Sequence, residues 1–410
     1  RITEKPEKEL KQRLLERARS WLPEEVLPWL DAAYAVSETP GFSAVLGTGG
    51  NDGRLEFANN FMQRLAEMFL APAKGARQRV NNADRVDAAL FGRARPQVNA
   101  GAPFGQFSPA RAGGANMGEG LNGGTRVNPW DYVFAIEGTL TFAGATVRRL
   151  DSAGDRAAAF PFHVATSAGG YGSSASSDED NARSELWLPL WSQPASHEEV
   201  RNFFSEGRLQ VGQHRAHDGL EAARAVASLG VDRGIDRFQR IGIFKRNGLA
   251  FLATSQGTLH VQAIPRVMLL EEPYEHARRV ERVKEASPGV SAALRRLQSA
   301  MFEACRHRDR KLTETLAALG ALEHAIARSP KTMSAPYLRS LRHLSSEWLT
   351  EADDGSSEFA LAASFASWEP RAELLPLDAR GNWDANVKTR WPHGDPLGGL
   401  VALARRRDRK

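Results

Sequence analysis

Phe238-Gln239-Arg240-Ile241-Gly242-Ile243-Phe244-Lys245, then Arg246-Asn247-Gly248, then Leu249-Ala250-Phe251-Leu252-Ala253-Thr254 is the stretch where the spacing of apolar residues changes. Two runs rich in β-branched and aromatic residues flank an Asn-Gly pair, whose tolerance of positive φ suits the type I′ turn of a two-stranded hairpin. Upstream the pattern is helical. Ser196 with Glu199 forms a capping-box signature, and Ala222 to Leu229 reads as a helix stopped at Gly230. Asn128 before Pro129 is a helix start. The following twenty residues are apolar nearly all round, which predicts a buried central helix ending at Arg148 and Arg149.

Further out, Leu10, Leu14, Ala18 and Trp21 recur at helical spacing among charges, so Glu7 to Trp21 is expected to be an amphipathic surface helix. Phe42 to Leu46 reads as a short strand. The glycine loop Gly47-Thr48-Gly49-Gly50-Asn51-Asp52-Gly53-Arg54 follows it, and then a helix carrying Phe57, Phe61, Leu65 and Phe69. On the other side of the hairpin the pattern after Glu271 is helical, broken at Ser287-Pro288-Gly289. It resumes as one helix from about Val290 to Ala327, roughly 57 Å long at 1.5 Å per residue. Shorter helices are expected near 336–350 and 357–367. The fold class is therefore α+β: a mixed body over 1–270 with a central buried helix and a β-hairpin, a helical bundle over 271–367, and an irregular basic tail over 368–410.

The chain has 410 residues, 42% of them hydrophobic, enough to bury a sizeable core. Its 54 Lys and Arg against 49 Asp and Glu leave a net charge of +5, which permits a polyanionic partner without requiring one. Cys305 is the only cysteine, so no disulfide forms within the chain and a four-thiolate zinc site is excluded. No apolar run approaches a membrane span and no signal pattern opens the chain, so a cytoplasmic protein with no membrane partner is expected. The first residue is Arg1, within a charged helical pattern, and we read the chain as part of a longer one.

Several motifs carry alternative readings. The loop at 47–53 offers backbone N–H groups to a phosphate at a helix start, through Gly49, Gly50 and Asn51 with Arg54, Asn59 and Asn60 nearby. It lacks the Lys-Ser/Thr of a Walker A loop, and plain turn chemistry explains it equally well. The basic, glycine-rich stretch from Arg77 to Arg126, with Arg79 and Arg111, is expected to be a loop that orders on a nucleic-acid surface. His214, His217 and Asp218 lie close together, but Arg215 and the lack of another ligand argue against a metal. Ser173, Ser174, Ser176 and Ser177 lack a nucleophile elbow. In Asp232-Arg233-Gly234-Ile235-Asp236-Arg237 the arginines either pair with the aspartates or, with Arg246 close by, reach phosphates. Arg295, Arg296, Arg306 and Arg310 lie on a leucine-bearing helix, either as a solvated face or as further phosphate contacts. No cofactor motif and no catalytic set is found.

Leu46-Gly47-Thr48-Gly49-Gly50-Asn51-Asp52-Gly53-Arg54-Leu55-Glu56-Phe57, Asn59-Asn60-Phe61-Met62, Asn128-Pro129-Trp130-Asp131 and Ser228-Leu229-Gly230-Val231-Asp232-Arg233-Gly234-Ile235, in that order and spacing, resemble the large-subunit family of type I-G (formerly I-U) CRISPR effector complexes, or Cascades. Smaller pieces agree, among them Gly105-Gln106-Phe107-Ser108-Pro109 and Glu185-Leu186-Trp187-Leu188-Pro189-Leu190-Trp191. The resemblance is dense from about Phe42 to Val267 and beyond 270 rests on helical character alone. It implies a non-enzymatic subunit of a crRNA-guided antiviral surveillance complex, without a cofactor. The implied partners are crRNA, double-stranded target DNA with its flanking motif, the backbone and crRNA-processing subunits, and a recruited helicase-nuclease. The helical region would then stand in for a small subunit beside the R-loop. Two readings compete with this one: a phosphate-binding enzyme built on the 47–53 loop, and a purely structural scaffold.

Overall fold

The computed structural model describes residues 8–35, 41–43, 56–70, 82–93, 128–148, 156–167, 182–207, 209–245, 251–341, 344–367, 375–378, 380–384 and 386. The fold is α+β, in two compact units. The first comprises residues 1–166, 173–218 and 230–259; the second comprises 167–172, 219–229 and 260–410. The expected break at 270 thus compares with a division at Leu259, and the helix around Ala222 belongs with the bundle.

In the first unit the described elements are α1 (Lys8–Trp21), α2 (Leu27–Ala33), the paired strands β1 (Tyr34–Ala35) and β2 (Gly41–Phe42), α3 (Glu56–Phe69), α4 (Asn82–Phe91) and α5 (Pro129–Gly138). Then come the antiparallel pair β3 (Ala145–Arg148) and β4 (Arg156–Ala159), β5 (His163–Val164), β6 (Ala182–Leu190), α6 (His197–Glu206), the pair β7 (Gln210–Val211) and β8 (His214–Arg215), β9 (Arg237–Lys245) and β10 (Phe251–His260). The main sheet has the order β10-β9-β6-β5, with β6 antiparallel to both of its neighbours. The two hairpin strands stand side by side, as their alternation predicts, and the Asn247-Gly248 turn lies outside the described residues.

The apolar spacing of α3 turns Phe57 and Phe61 onto Tyr132 and Ile136 of α5. Asn128 caps α5 by accepting from the Trp130 N–H at 3.2 Å, and its side-chain amide donates to the Arg85 carbonyl at 2.7 Å. The capping box forms as expected, with Ser196 N–H on Glu199 at 2.6 Å and Glu199 N–H on Ser196 at 3.3 Å. Gly207 ends α6 at φ +52, where an added Cβ would stand 2.9 Å from the Pro161 Cα. Phe162 packs edge-on against Phe204 and tilted against Phe238, joining α6 to the inner face of the sheet.

Two expectations fail in this unit. The central helix does not run to Arg149. It tightens into a 3₁₀ turn over Thr139–Phe142, and the chain then becomes strand β3. The hydroxyls of Thr139 and Thr141 donate back to the Ile136 and Gly138 carbonyls at 2.6 Å, competing with helix continuation at a β-branched, glycine-containing site. Within the expected loop 77–126, Asn82–Phe91 is helix α4. Its Arg85 is buried and pairs with Glu67 at 3.3 Å, so a core position is held by a charge that the apolar pattern does not register.

The second unit consists of α7 (Gly219–Ala227), a 3₁₀ turn at Pro265–Leu270, α8 (Glu271–Glu281), α9 (Pro288–Arg306), α10 (Thr313–Ala327), α11 (Pro330–Met333), α12 (Glu347–Ala352) and α13 (Ser357–Ala366). Every residue of α7 is buried, and its carbonyl at Ala227 accepts from Ile264 N–H at 2.8 Å. Leu229, at φ +61, turns the chain at the end of α7 where Gly230 was expected to do so. The single 57 Å helix is two helices, α9 and α10, packed on each other. Four cations fall within Arg306-His307-Arg308-Asp309-Arg310-Lys311, and the chain leaves helical geometry at His307. Arg266 and Gln262 donate to the freed carbonyls of His307 and Arg306 at 2.8 and 3.3 Å. Among the described residues of the helix expected at 336–350, the helical part is Glu347–Ala352, and Pro336 and Tyr337 form a turn at the expected start. The described part of the tail is ordered by Asp378, which accepts from the Arg380 and Asn382 N–H groups at 2.8 Å and brings Leu377 opposite a buried Trp383.

Candidate nucleic-acid interface

In the first unit the candidate surface is built where β6 ends and β9 begins. Val231, Ile235 and Phe238 are buried and act as anchors, and Arg233 and Arg237 between them are exposed. Gly234 at φ +92 makes the turn that puts the two cations outside. Asp236 does not serve its neighbouring arginines. Its carboxylate accepts from Ser192 N–H at 2.5 Å and its N–H donates to the Leu190 carbonyl at 2.9 Å, tying the strand ends together. Asp232 is buried. Among the described residues no ion pair involves Arg233 or Arg237, so both charges are presented to solvent, the arrangement a phosphate contact needs.

Other candidates divide. Asn59 is exposed on α3, but Asn60 beside it is buried and is removed from any interface. Gly49, Gly50, Asn51, Arg54, Arg77, Arg79, Arg111 and Arg246 lie outside the described residues, as do Ser173, Ser174, Ser176 and Ser177. In the second unit Arg296 is exposed and Arg295 half-buried on α9. Arg306 pairs with Glu303 at 3.6 Å, and Arg310 pairs with Glu303 at 3.6 Å and with Glu314. The Glu314 carboxylate raises the Arg310 pKa further. Arg310 thus spans from Glu303 of α9 to Glu314 of α10, a link the sequence did not reveal, whereas the Arg306 pair lies within α9.

The His214 and His217 rings stack at 5.9 Å, and Asp218 is buried in a bridge to Ala165. Among the described residues no group of three or more His, Cys, Asp or Glu side chains could hold a metal ion. Burial pushes the Cys305 thiol up to about 12, and the charges of Arg224 and Arg266 only partly oppose this, so it is a poor nucleophile. His163 is pushed down to about 4, first by burial and then by the Arg215 charge, against a hydrogen bond to the Pro161 carbonyl at 2.8 Å. A cleft of about 610 Å³ in the second unit is lined by Glu271, Glu272, Glu275, Arg279, Tyr337 and Arg339, among others, and by none of the residues singled out in the sequence.

Sequence reasoning missed the buried polar groups Glu185, Arg224, Arg240 and His276. Arg240 and Glu185 meet inside the sheet, Arg224 of the all-buried α7 pairs with Glu271, and His276 lies 3.0 Å from Glu323. A signal for the first was present: Glu185 and Trp187 share strand parity, as do Phe238 and Arg240, so the charges fall on the apolar face. No helix among the described residues is long and apolar enough to cross a membrane. The chain matches no known protein-family model and no curated protein.

Proposed function

We propose that the chain is the non-catalytic large subunit of a crRNA-guided type I-G surveillance complex acting in the cytoplasm. It helps to bind double-stranded target DNA and its flanking motif, to stabilise the R-loop and to recruit the helicase-nuclease. The observation that carries the reading is the coincidence of two features on one segment. Ser228 to Ile235 bears part of the family resemblance, and it also displays the exposed Arg233, with Arg237 just beyond it. Guide pairing supplies sequence specificity in such complexes, so the protein's task is to hold backbone phosphates, for which two rigidly anchored, solvent-facing guanidinium groups are suited. The test is co-expression with the other effector subunits and crRNA, followed by purification through a partner's tag.

A purely structural part for the second unit is favoured by one specific observation. Arg306 and Arg310 are committed to Glu303 and Glu314. Under this reading the bundle is a support, and the DNA contacts come from the first unit. Replacing Arg306 and Arg310 with Gln then leaves target affinity unchanged, with a loss of stability of about 1 kcal/mol or less because the pairs are exposed.

A further inference from the structure

The apolar stripe of α1 does not face a core. Leu10 is 52% exposed, Leu14 38% and Trp21 73%; beyond the helix end Leu22 and Val26 are exposed too, with the exposed carboxylates of Glu24 and Glu25 between them in the chain. Arg19, on the opposite side of the helix, is ion-paired to Asp31 of α2 and fixes which side of α1 is turned outward. We propose that this outward face is a docking surface for an acidic amphipathic helix of another protein.

The spacing and the charge define the partner. Positions 10, 14, 17 and 21 step by four, three and four, the a/d rhythm of a helix seam. Arg17 takes one of these positions, with its guanidinium 4.6 Å from the centre of the Trp21 ring, and the exposed Arg13 flanks the stripe. A partner with apolar a and d residues and carboxylates beside them buries the leucines and pairs with both arginines. A second copy of this chain would bring Arg13 and Arg17 against their own like charges. Nucleic acid would use the arginines but leave Leu10 and Leu14 wet. The stripe of Leu10, Trp21 and Leu14 spans only about 40° at 100° per residue, narrower than the apolar face with which a helix lies in a bilayer surface.

The experiment uses the full chain and a fluorescent four-heptad peptide with Leu at a and d and Glu at e and g, read by anisotropy. Saturable binding is expected, weakened about tenfold or more, or about 1.4 kcal/mol, by Leu10→Ser with Leu14→Ser, and similarly by Arg13→Glu with Arg17→Glu. Thermal melting of both variants should match that of the parent chain, since all four side chains are exposed. A peptide with Lys in place of Glu should not bind. The proposal is overturned if the Glu peptide does not bind, if either double variant binds it equally well, or if the Lys peptide is equivalent. It is also overturned if the same substitutions abolish binding to phosphatidylglycerol vesicles or to an oligo-dT strand and not to the peptide, or if they dissociate a dimer of the chain. None of these readouts involves crRNA or the effector complex, so the outcome is independent of the proposed function.

Discussion

Arg240 and Glu185 form a two-point ion pair inside the main sheet: the Nε and Nη2 groups of Arg240 each donate to the Glu185 carboxylate at 2.7 Å, and neither side chain is exposed. Trp187 donates to the same carboxylate at 3.2 Å and faces Arg240 across the strands, where the registered pair Trp187↔Arg240 sets the alignment of β6 on β9. A one-residue slip of either strand would turn one charge to the opposite face, so the pair penalises wrong register as well as linking the strands.

Removing one partner leaves the other charge buried. Arg240→Met or Glu185→Gln is expected to destabilise the chain by about 3–5 kcal/mol. The double variant Glu185→Leu, Arg240→Met should recover most of that loss, because two apolar side chains replace two desolvated charges. Urea unfolding of the three variants checks this, and additive losses in the double variant would show that the pair is not coupled.

The strand periods, the capping box at Ser196 and the cap at Asn128 were legible in the sequence because each depends on neighbours within four residues. What was not legible depends on distant partners. Arg85 reads as part of a basic loop until Glu67 and the Asn128 amide are placed against α4. The seam between α9 and α10 is hidden because leucines at helical spacing continue on both sides of it, and its break is set by Arg266 and Gln262 reaching the end of α9. At the candidate site the sequence left Asp236 as a possible partner of Arg237, and only the strand pairing at Leu190 shows that Ser192 takes it.

His163 makes stability depend on pH. Its folded pKa of about 4 lies below its ordinary value of 6.5, so between those values the unfolded chain binds a proton that the folded chain refuses. The stabilising contribution is complete above pH 6.5 and is lost as pH falls through 4, on the order of 3 kcal/mol in all. Chemical unfolding measured at several pH values should show this slope, and His163→Gln should remove it. An equal slope in both chains would mean that the acid sensitivity lies elsewhere.

Leu229 holds a left-handed backbone conformation with its side chain 53% exposed. Leu229→Gly should therefore raise stability by about 1 kcal/mol, since the Cβ penalty is removed and little burial is lost. A lowered melting temperature would show that the exposed leucine makes contacts that outweigh the strain.

Arg233 and Arg237 separate a DNA contact from a structural one. Replacing both with Gln should leave the melting temperature unchanged, because neither is buried. It should flatten the dependence of log affinity on log salt by roughly 1.8, at about 0.9 for each phosphate no longer neutralised. Filter binding of the assembled complex to duplex targets at several salt concentrations measures it, and an unchanged slope rejects the phosphate role.

The proposed membership of a crRNA-guided effector is tested most directly by co-purification. The chain, the backbone and crRNA-processing subunits and a crRNA are expressed together, and the complex is drawn through a tag on a backbone subunit. The chain is expected to co-elute with crRNA in one peak on size exclusion and, when present, to strengthen binding to a duplex target. Elution of the chain alone, free of the other subunits and of RNA, would contradict it.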